Sequence, residues 1–133
     1  MYMNDKSKPT RASDAISERV MTGLFSRAFA QPLKLLGQTE ASLSSYAVFW
    51  CVAFNEGSTQ VEIARLTGLS AKTVSRVISQ LGETTEGRGW IKQSYDASDR
   101  RVRRLSLSRK GKTVYGKLMK DLHKFNDTLQ AAG

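Results

Sequence analysis

TQVEIARLTGLSAKTVSRVISQL, residues 59–81, is the stretch that decides the fold. Thr59 stands three positions before Glu62, the S/T-x-x-E spacing in which hydroxyl and carboxylate satisfy exposed amide donors at a helix start. The helix it opens should carry Val61, Ile63, Ala64 and Leu66, and Gly68 supplies the position where it stops. Ser70 then caps a second helix, in which Val74, Ile78 and Leu81 recur at i, i+4 and i+7 on one face. Lys72, Thr73, Ser75, Arg76, Ser79 and Gln80 are left on the other. That face is basic, slim and free of carboxylates. A helix entering a DNA major groove needs this combination: short polar side chains for base edges, cations for phosphates. The spacing therefore predicts a helix-turn-helix, with a plain helical hairpin and a solvated face as the competing reading.

The rest of the chain bears on that choice. Its 133 residues suit one domain with a real core, or one core plus extended arms for a partner, and 40% hydrophobic content places it among folded chains. The formal net charge is +9, which points to nucleic acid or an anionic surface. Residues 88–112 hold nine Lys or Arg against Asp96 and Asp99, which is +7 of that total in 25 positions. Such clustering favours a polyanion footprint over an evenly solvated surface. The longest apolar run, residues 47–54, is too short to span a bilayer, and MYMNDKSKPT lacks the apolar core of a signal peptide, so a cytoplasmic protein with no membrane partner is expected. The single cysteine, Cys51, leaves no internal disulfide and no multi-cysteine metal site.

Working outward, residues 1–12 are polar and are expected to form a mobile arm. Ile16, Val20, Leu24, Phe25, Ala28 and Phe29 then recur at helical spacing within residues 13–36, a first helix that should end or kink at Pro32. Its wide apolar face predicts a second subunit. After a connection from residue 37, Ser44 should cap a helix reaching Asn55, and YAVFWCVAF within it is apolar on every side, with Trp50 and Phe54 expected in the core. Cys51 in that run reads as a packed thiol. Beyond residue 81, GETTEGRG forms a glycine-rich connection, and residues 90–95 and 102–107 are strand-like runs flanking DASDRR. A hairpin with a charged tip must lean on the helices to be stable. The fold expected over residues 37–108 is accordingly a winged helix-turn-helix, mainly α with a small β-hairpin. Arg100 and Arg101 at the tip would reach the minor groove or flanking phosphates, and Arg88, Lys92, Arg103, Arg104 and Lys110 would supply phosphate contacts. Ser108 should cap a last helix, residues 109 to about 129, whose stripe Val114, Leu118, Leu122, Phe125 and Leu129 exceeds what a small winged-helix body needs to cover. A homodimer through the first and last helices is expected. His123 stands alone beside that stripe and reads as surface.

Residues 40–112, above all TQVEIARLTGLSAKTVSRVISQL and GWIKQSYDASDRRVRRLSLSRKG with its DRR…L-L-S-x-x-G succession, resemble the multiple-antibiotic-resistance regulator (MarR) family of winged-helix transcription factors. The resemblance implies a recognition helix at residues 70–81 and a wing tip in which the carboxylate of Asp99 orients the guanidinium of Arg101 for the minor groove. It implies homodimers on pseudo-palindromic operators, and in many members a repressor released by a small phenolic ligand or by cysteine oxidation. Two departures stand out. GETTEGRG is about four residues longer than the family's usual connection, so the wing is expected to sit differently. One helix follows the wing where the family has two, so a reduced or rebuilt dimer interface is expected. The family's sensing cysteine lies in the first helix, and this chain has none there.

Three functions fit this reading: a dimeric regulator, probing sequence with Lys72, Thr73, Arg76 and Gln80; a mobile-element replication or partition protein using the same head on direct repeats; and a winged helix repurposed for protein contacts. The third would be marked by acidic or missing residues on the recognition helix, and this helix shows neither. An enzyme is not expected, nor a cofactor or metal: the sole His and Cys lie in different regions, and no Gly-rich phosphate loop or carboxylate pair is present.

Overall fold

The computed structural model describes residues 16–35 and 42–132. In order these form α1 (Glu18–Leu35), α2 (Leu43–Phe54), α3 (Gln60–Thr67), α4 (Ala71–Leu81), β1 (Ile91–Tyr95), β2 (Arg103–Leu107) and α5 (Arg109–Ala132). The N-terminal arm and most of the connection after α1 lie outside the described residues.

Local chemistry sets the boundaries. Thr59 and Glu62 close the capping box, with Thr59 N–H donating to the Glu62 carboxylate at 2.9 Å and Glu62 N–H donating to the Thr59 hydroxyl at 3.2 Å. Gly68 ends α3 in the left-handed region, φ 78°, where a side chain would be strained. Ser70 caps α4 by accepting from Thr73 N–H at 3.1 Å. The cap of α2 is Ser42 rather than Ser44: its hydroxyl accepts from Ser45 N–H at 3.1 Å, and the helix ends at Phe54 with Asn55 as its C-cap. Nor does α1 end at Pro32. The helix carries it for one further turn, because losing one amide donor so near the C-terminus costs little and Pro32 is itself buried.

One core joins α2, α3, α4, the hairpin and α5. Val48, Phe49 and Val52 of α2 meet Ile63 of α3, Val74, Val77, Ile78 and Leu81 of α4, Ile91, Leu105 and Leu107 of the hairpin, and Val114 and Leu118 of α5. Trp90 enters this core edge-on to Phe49, with ring centroids 5.6 Å apart. The apolar run of α2 is not buried all round. Its buried face is Ser45, Val48, Phe49 and Val52; Trp50 is half-buried against Tyr115, and Phe54, at the helix end, is 89% exposed. On the two turns of α3 only Ile63 is buried, while Val61 and Leu66 are exposed.

The hairpin is antiparallel, with Ile91 opposite Leu107 and Tyr95 opposite Arg103. It is pinned at both ends of its base. The connection after α4 folds back on that helix: Arg88 N–H donates to the Gln80 carbonyl at 2.9 Å, Gly89 N–H to Gly82 at 2.8 Å and Trp90 N–H to Leu81 at 2.7 Å. The extra residues are thus absorbed in a closed loop and β1 begins beside the end of α4. On the other strand, Gly57 N–H donates to the Leu105 carbonyl at 2.7 Å and Leu105 N–H to Ser58 at 2.8 Å, while the Glu56 carboxylate accepts from Leu107 N–H at 2.7 Å. Ser108 caps α5, accepting from Gly111 N–H at 3.0 Å and donating to the Gly89 carbonyl. At Gly111 a side chain has no room, since a Cβ would overlap the Trp90 carbonyl. This is the physical demand behind the L-S-x-x-G spacing.

Candidate nucleic-acid interface

The outward face of α4 carries Lys72, Ser75, Arg76, Ser79 and Gln80, all exposed. Ser70 and Thr73 start the same face, but their hydroxyls are engaged with one another at 3.0 Å in the cap. None of these residues shares an ion pair among the described residues. The helix backbone is fixed by four buried side chains underneath, Val74, Val77, Ile78 and Leu81, so the polar face is a rigid platform with mobile tips.

The wing tip is organised differently. One carboxylate oxygen of Asp96 accepts from Ser98 N–H at 3.0 Å, Ser98 O–H at 2.7 Å and Asp99 N–H at 3.1 Å, which folds the turn. Its other oxygen accepts from Arg104 Nε at 2.9 Å, and Arg104 also donates to the Gly57 carbonyl at 3.1 Å. These bonds, led by that from Ser98, hold the Asp96 carboxyl down at about 2. Beyond it, Asp99 forms a bidentate pair with Arg101, Nε and Nη2 each 3.1 Å from a carboxylate oxygen. The guanidinium lowers the Asp99 pKa and is itself raised. The Arg101 side chain remains 91% exposed. Arg100 and Arg103 lie over the ring of Tyr95, 5.2 and 5.6 Å from its centroid.

The residues singled out in the sequence therefore separate into groups. Lys72, Ser75, Arg76, Ser79 and Gln80 share the α4 face with Ser70 and Thr73; Asp99, Arg100, Arg101 and Arg103 share the wing tip, and Lys92 is exposed on β1. Arg104 is turned inward as a strut between Asp96 and Gly57. Arg88 is half-buried, with its guanidinium 5.4 Å from the centre of the Trp90 ring and its charge opposing the rise that burial gives the Tyr46 phenol. The structure adds Asp96, Tyr95 and Glu56. Asp96 two positions before Ser98 is an Asx-turn signature, and Tyr95 follows from its register opposite Arg103. Glu56 has no local signal, because its partner is 51 residues away.

Away from this surface, α1, α2 and α5 frame an apolar cavity of about 410 Å³ lined by Phe25, Phe29, Pro32, Trp50, Met119 and Leu122 among others. Tyr46 also lines it, and its buried hydroxyl has no hydrogen-bond partner among the described residues. Among those residues no group of three His, Cys, Asp or Glu could hold a metal ion, and no helix is long and apolar enough to cross a membrane.

A helix-turn-helix flanked by a basic hairpin on a helical body is a winged helix, and solved structures refine the type. The chain has the fold of MarR-like transcriptional regulators. It is similar to a MarR-like transcriptional regulator from Thermotoga maritima, with TM-score 0.66 and 21% identity over 88% of this chain and 83% of that one. A S. aureus MepR mutant bound to an oligodeoxyribonucleotide superposes with TM-score 0.61 at 21% identity, over 85% of this chain and 78% of that one. Streptococcus pneumoniae FabT in complex with DNA gives TM-score 0.59 at 20% identity, over 86% and 79%. No protein-family model matches the sequence, and no curated protein is significantly similar to it.

Proposed function

We propose that this protein is a sequence-specific double-stranded DNA-binding transcriptional regulator, acting in the cytoplasm as a homodimeric repressor that occupies a promoter. One observation carries the reading: the carboxylate-free face of α4 stands on the same fold as a wing tip whose exposed Arg101 is held in a fork by Asp99. Lys72, Arg76 and Gln80 would probe base edges, Arg101 the minor groove, and Lys92, Arg100 and Arg103 the phosphates. The two similar structures solved with DNA support this assignment. The reading assigns no catalytic step and no cofactor.

The dimer rests on α1. Met21, Phe25, Phe29 and Leu33 follow one another at i+4 and are exposed, Phe25 at 65% and Phe29 at 61%, and Leu43 beside them is exposed too. A contiguous apolar stripe of that size fits a second copy of this chain. The two recognition helices would then meet successive major grooves about 34 Å apart on a pseudo-palindrome. The apolar cavity favours a small aromatic effector as the release signal. Its test is a shift in DNA release by phenolic compounds that Ala28→Phe, which fills the cavity, abolishes.

Selection from a randomised duplex library, followed by sequencing, tests the main reading. An enriched inverted repeat is expected and would deliver the operator. Direct repeats would favour a replication or partition assembly, and salt-sensitive retention without enrichment would leave specificity to a partner protein.

A further inference from the structure

The recognition surface does not use the most basic helix of the molecule. Between residues 109 and 124, α5 carries Arg109, Lys110, Lys112, Lys117, Lys120 and Lys124, all exposed. The one acid in that span, Asp121, is turned to α1, where it pairs with Arg27 at 3.1 Å. None of the six cations shares an ion pair among the described residues. Helical periodicity explains the sorting: Val114, Leu118, Leu122 and Phe125 occupy the inward face, Arg109, Lys112, Lys117, Lys120 and Lys124 fall outside it, and Lys110, one turn before Val114, flanks it beside Gly89. The result is a ridge ~22 Å long at 1.5 Å per residue. Its first turn places Arg109, Lys110 and Lys112 against the positive end of the helix dipole, with no acid to offset them. Folding alone gains nothing from that arrangement.

Apart from Lys110, which stands beside Gly89 at the wing base, the ridge belongs to neither surface already assigned. It is turned away from the core that α4 covers on its other side: Val114 and Leu118 of α5 enter that core, and the helix also packs on α1, α2 and β2. A two-fold contact centred on the ridge would set cations against cations. We infer that the outward face of α5 is a second, sequence-independent phosphate-binding surface that takes another segment of double-stranded DNA. Its length matches about six base pairs at 3.4 Å each, and its charge is complementary to their backbones. A molecule with a specific head and such a ridge would bridge two duplexes, or fold a promoter back on itself. The inference shares with the proposed function only the premise that DNA is the ligand.

The test uses the full chain in three forms: wild type, a head variant (Arg76→Ala with Arg101→Ala) and a ridge variant (Lys117→Gln, Lys120→Gln and Lys124→Gln). Glutamine keeps helix propensity, and an unchanged melting curve confirms folding. Random-sequence duplex of about three helical turns is titrated at several salt concentrations, and capture of a labelled second duplex on an immobilised first one is measured. The ridge variant is expected to lose second-duplex capture and about three units of salt slope, near 0.9 for each phosphate that a lysine neutralises, while the head variant keeps salt-sensitive residual binding. Capture and slope unchanged in the ridge variant would overturn the inference and leave the head reading standing. Residual binding that vanishes in the head variant would do the same. A wild-type chain with no affinity for duplex would remove both. Loss by the ridge variant of binding to phosphatidylglycerol vesicles alone would overturn the DNA assignment in favour of a membrane surface.

Discussion

The two basic elements of the proposed recognition surface are built on opposite principles. On α4, the side chains of Lys72, Arg76 and Gln80 have no partner among the described residues and stand on a backbone locked by four buried side chains. At the wing tip each arginine is already engaged before any ligand arrives: Arg101 by Asp99, Arg100 and Arg103 by the Tyr95 ring, Arg104 by Asp96 and Gly57. Free side chains can settle on whichever base edges a sequence offers, at a cost in rotamer entropy. Held side chains lose less entropy on binding, and they fix where the groove must lie. The helix is suited to choosing a sequence, the wing to fixing position.

The contrast breaks most severely if the wing loses its footing. Gly111→Ala forces a Cβ into the Trp90 carbonyl where α5 joins the base of β1. Overpacking of this kind costs typically ~1–3 kcal/mol, and a backbone obstacle puts the cost at the upper end. A loss of unfolding free energy of that size, seen as a lowered denaturation midpoint, is expected. A midpoint equal to wild type would show that the joint has slack and that the wing's placement does not depend on it.

Arg76→Ala comes next and separates choice from affinity. If Arg76 reads a base, discrimination between the selected site and random DNA should fall by ~1–3 kcal/mol. Equal weakening on both DNAs would make it a phosphate contact and place α4 with the wing.

How much of this contrast is legible in the sequence follows from the range of the interactions involved. Thr59 with Glu62, Ser70, Gly68 and Ser108 can all be read, because each cap is closed within three or four residues. The Asp99–Arg101 pair is implied by family resemblance and spans two positions. Phe54 escapes the sequence because an apolar run fixes that a helix is buried but not its phase, which here is set by Ile63, Val74 and Leu105 from distant segments. Ser42 escapes although its cap closes within three residues, because Ser42, Ser44 and Ser45 stand together and local spacing does not choose among them. Arg104 looks like a phosphate ligand in sequence because its partner carbonyl, Gly57, is 47 residues away, and Arg88 does so because nothing local indicates that its connection folds back on α4.

Arg101→Ala and Arg104→Ala sharpen the wing's side. Removing Arg101 should weaken binding and lower the salt slope by about 0.9 for each phosphate left without its cation. Removing Arg104 should weaken binding through looseness of the tip. Amide exchange at Ser98 and Asp99 should rise, and adding Arg101→Ala should then have less than its full effect. Additive losses would make Arg104 a DNA-binding residue in its own right.

The smallest effect expected is the dependence of wing order on pH. Asp96 is held down to about 2 from an ordinary 3.8, so its bonds to Ser98 and Arg104 favour the folded tip wherever the carboxylate is ionised. The sign follows from linkage: a depressed carboxyl contributes fully above 3.8 and loses that contribution as pH falls toward 2. Asp99 is displaced in the same direction by Arg101. Amide exchange at the tip should therefore be insensitive to this titration above about pH 5 and become less protected between about 4 and 2, with α4 unaffected over the same window. In Asp96→Asn that window should vanish, because asparagine keeps the turn's acceptor but has no proton to take up. Persistence of the window in Asp96→Asn would assign it to Asp99 and leave the Arg104 strut without an electrostatic role. A simultaneous loss of protection in α4 would show that helix and wing open as one unit, which would leave the contrast between them as one of side-chain freedom alone.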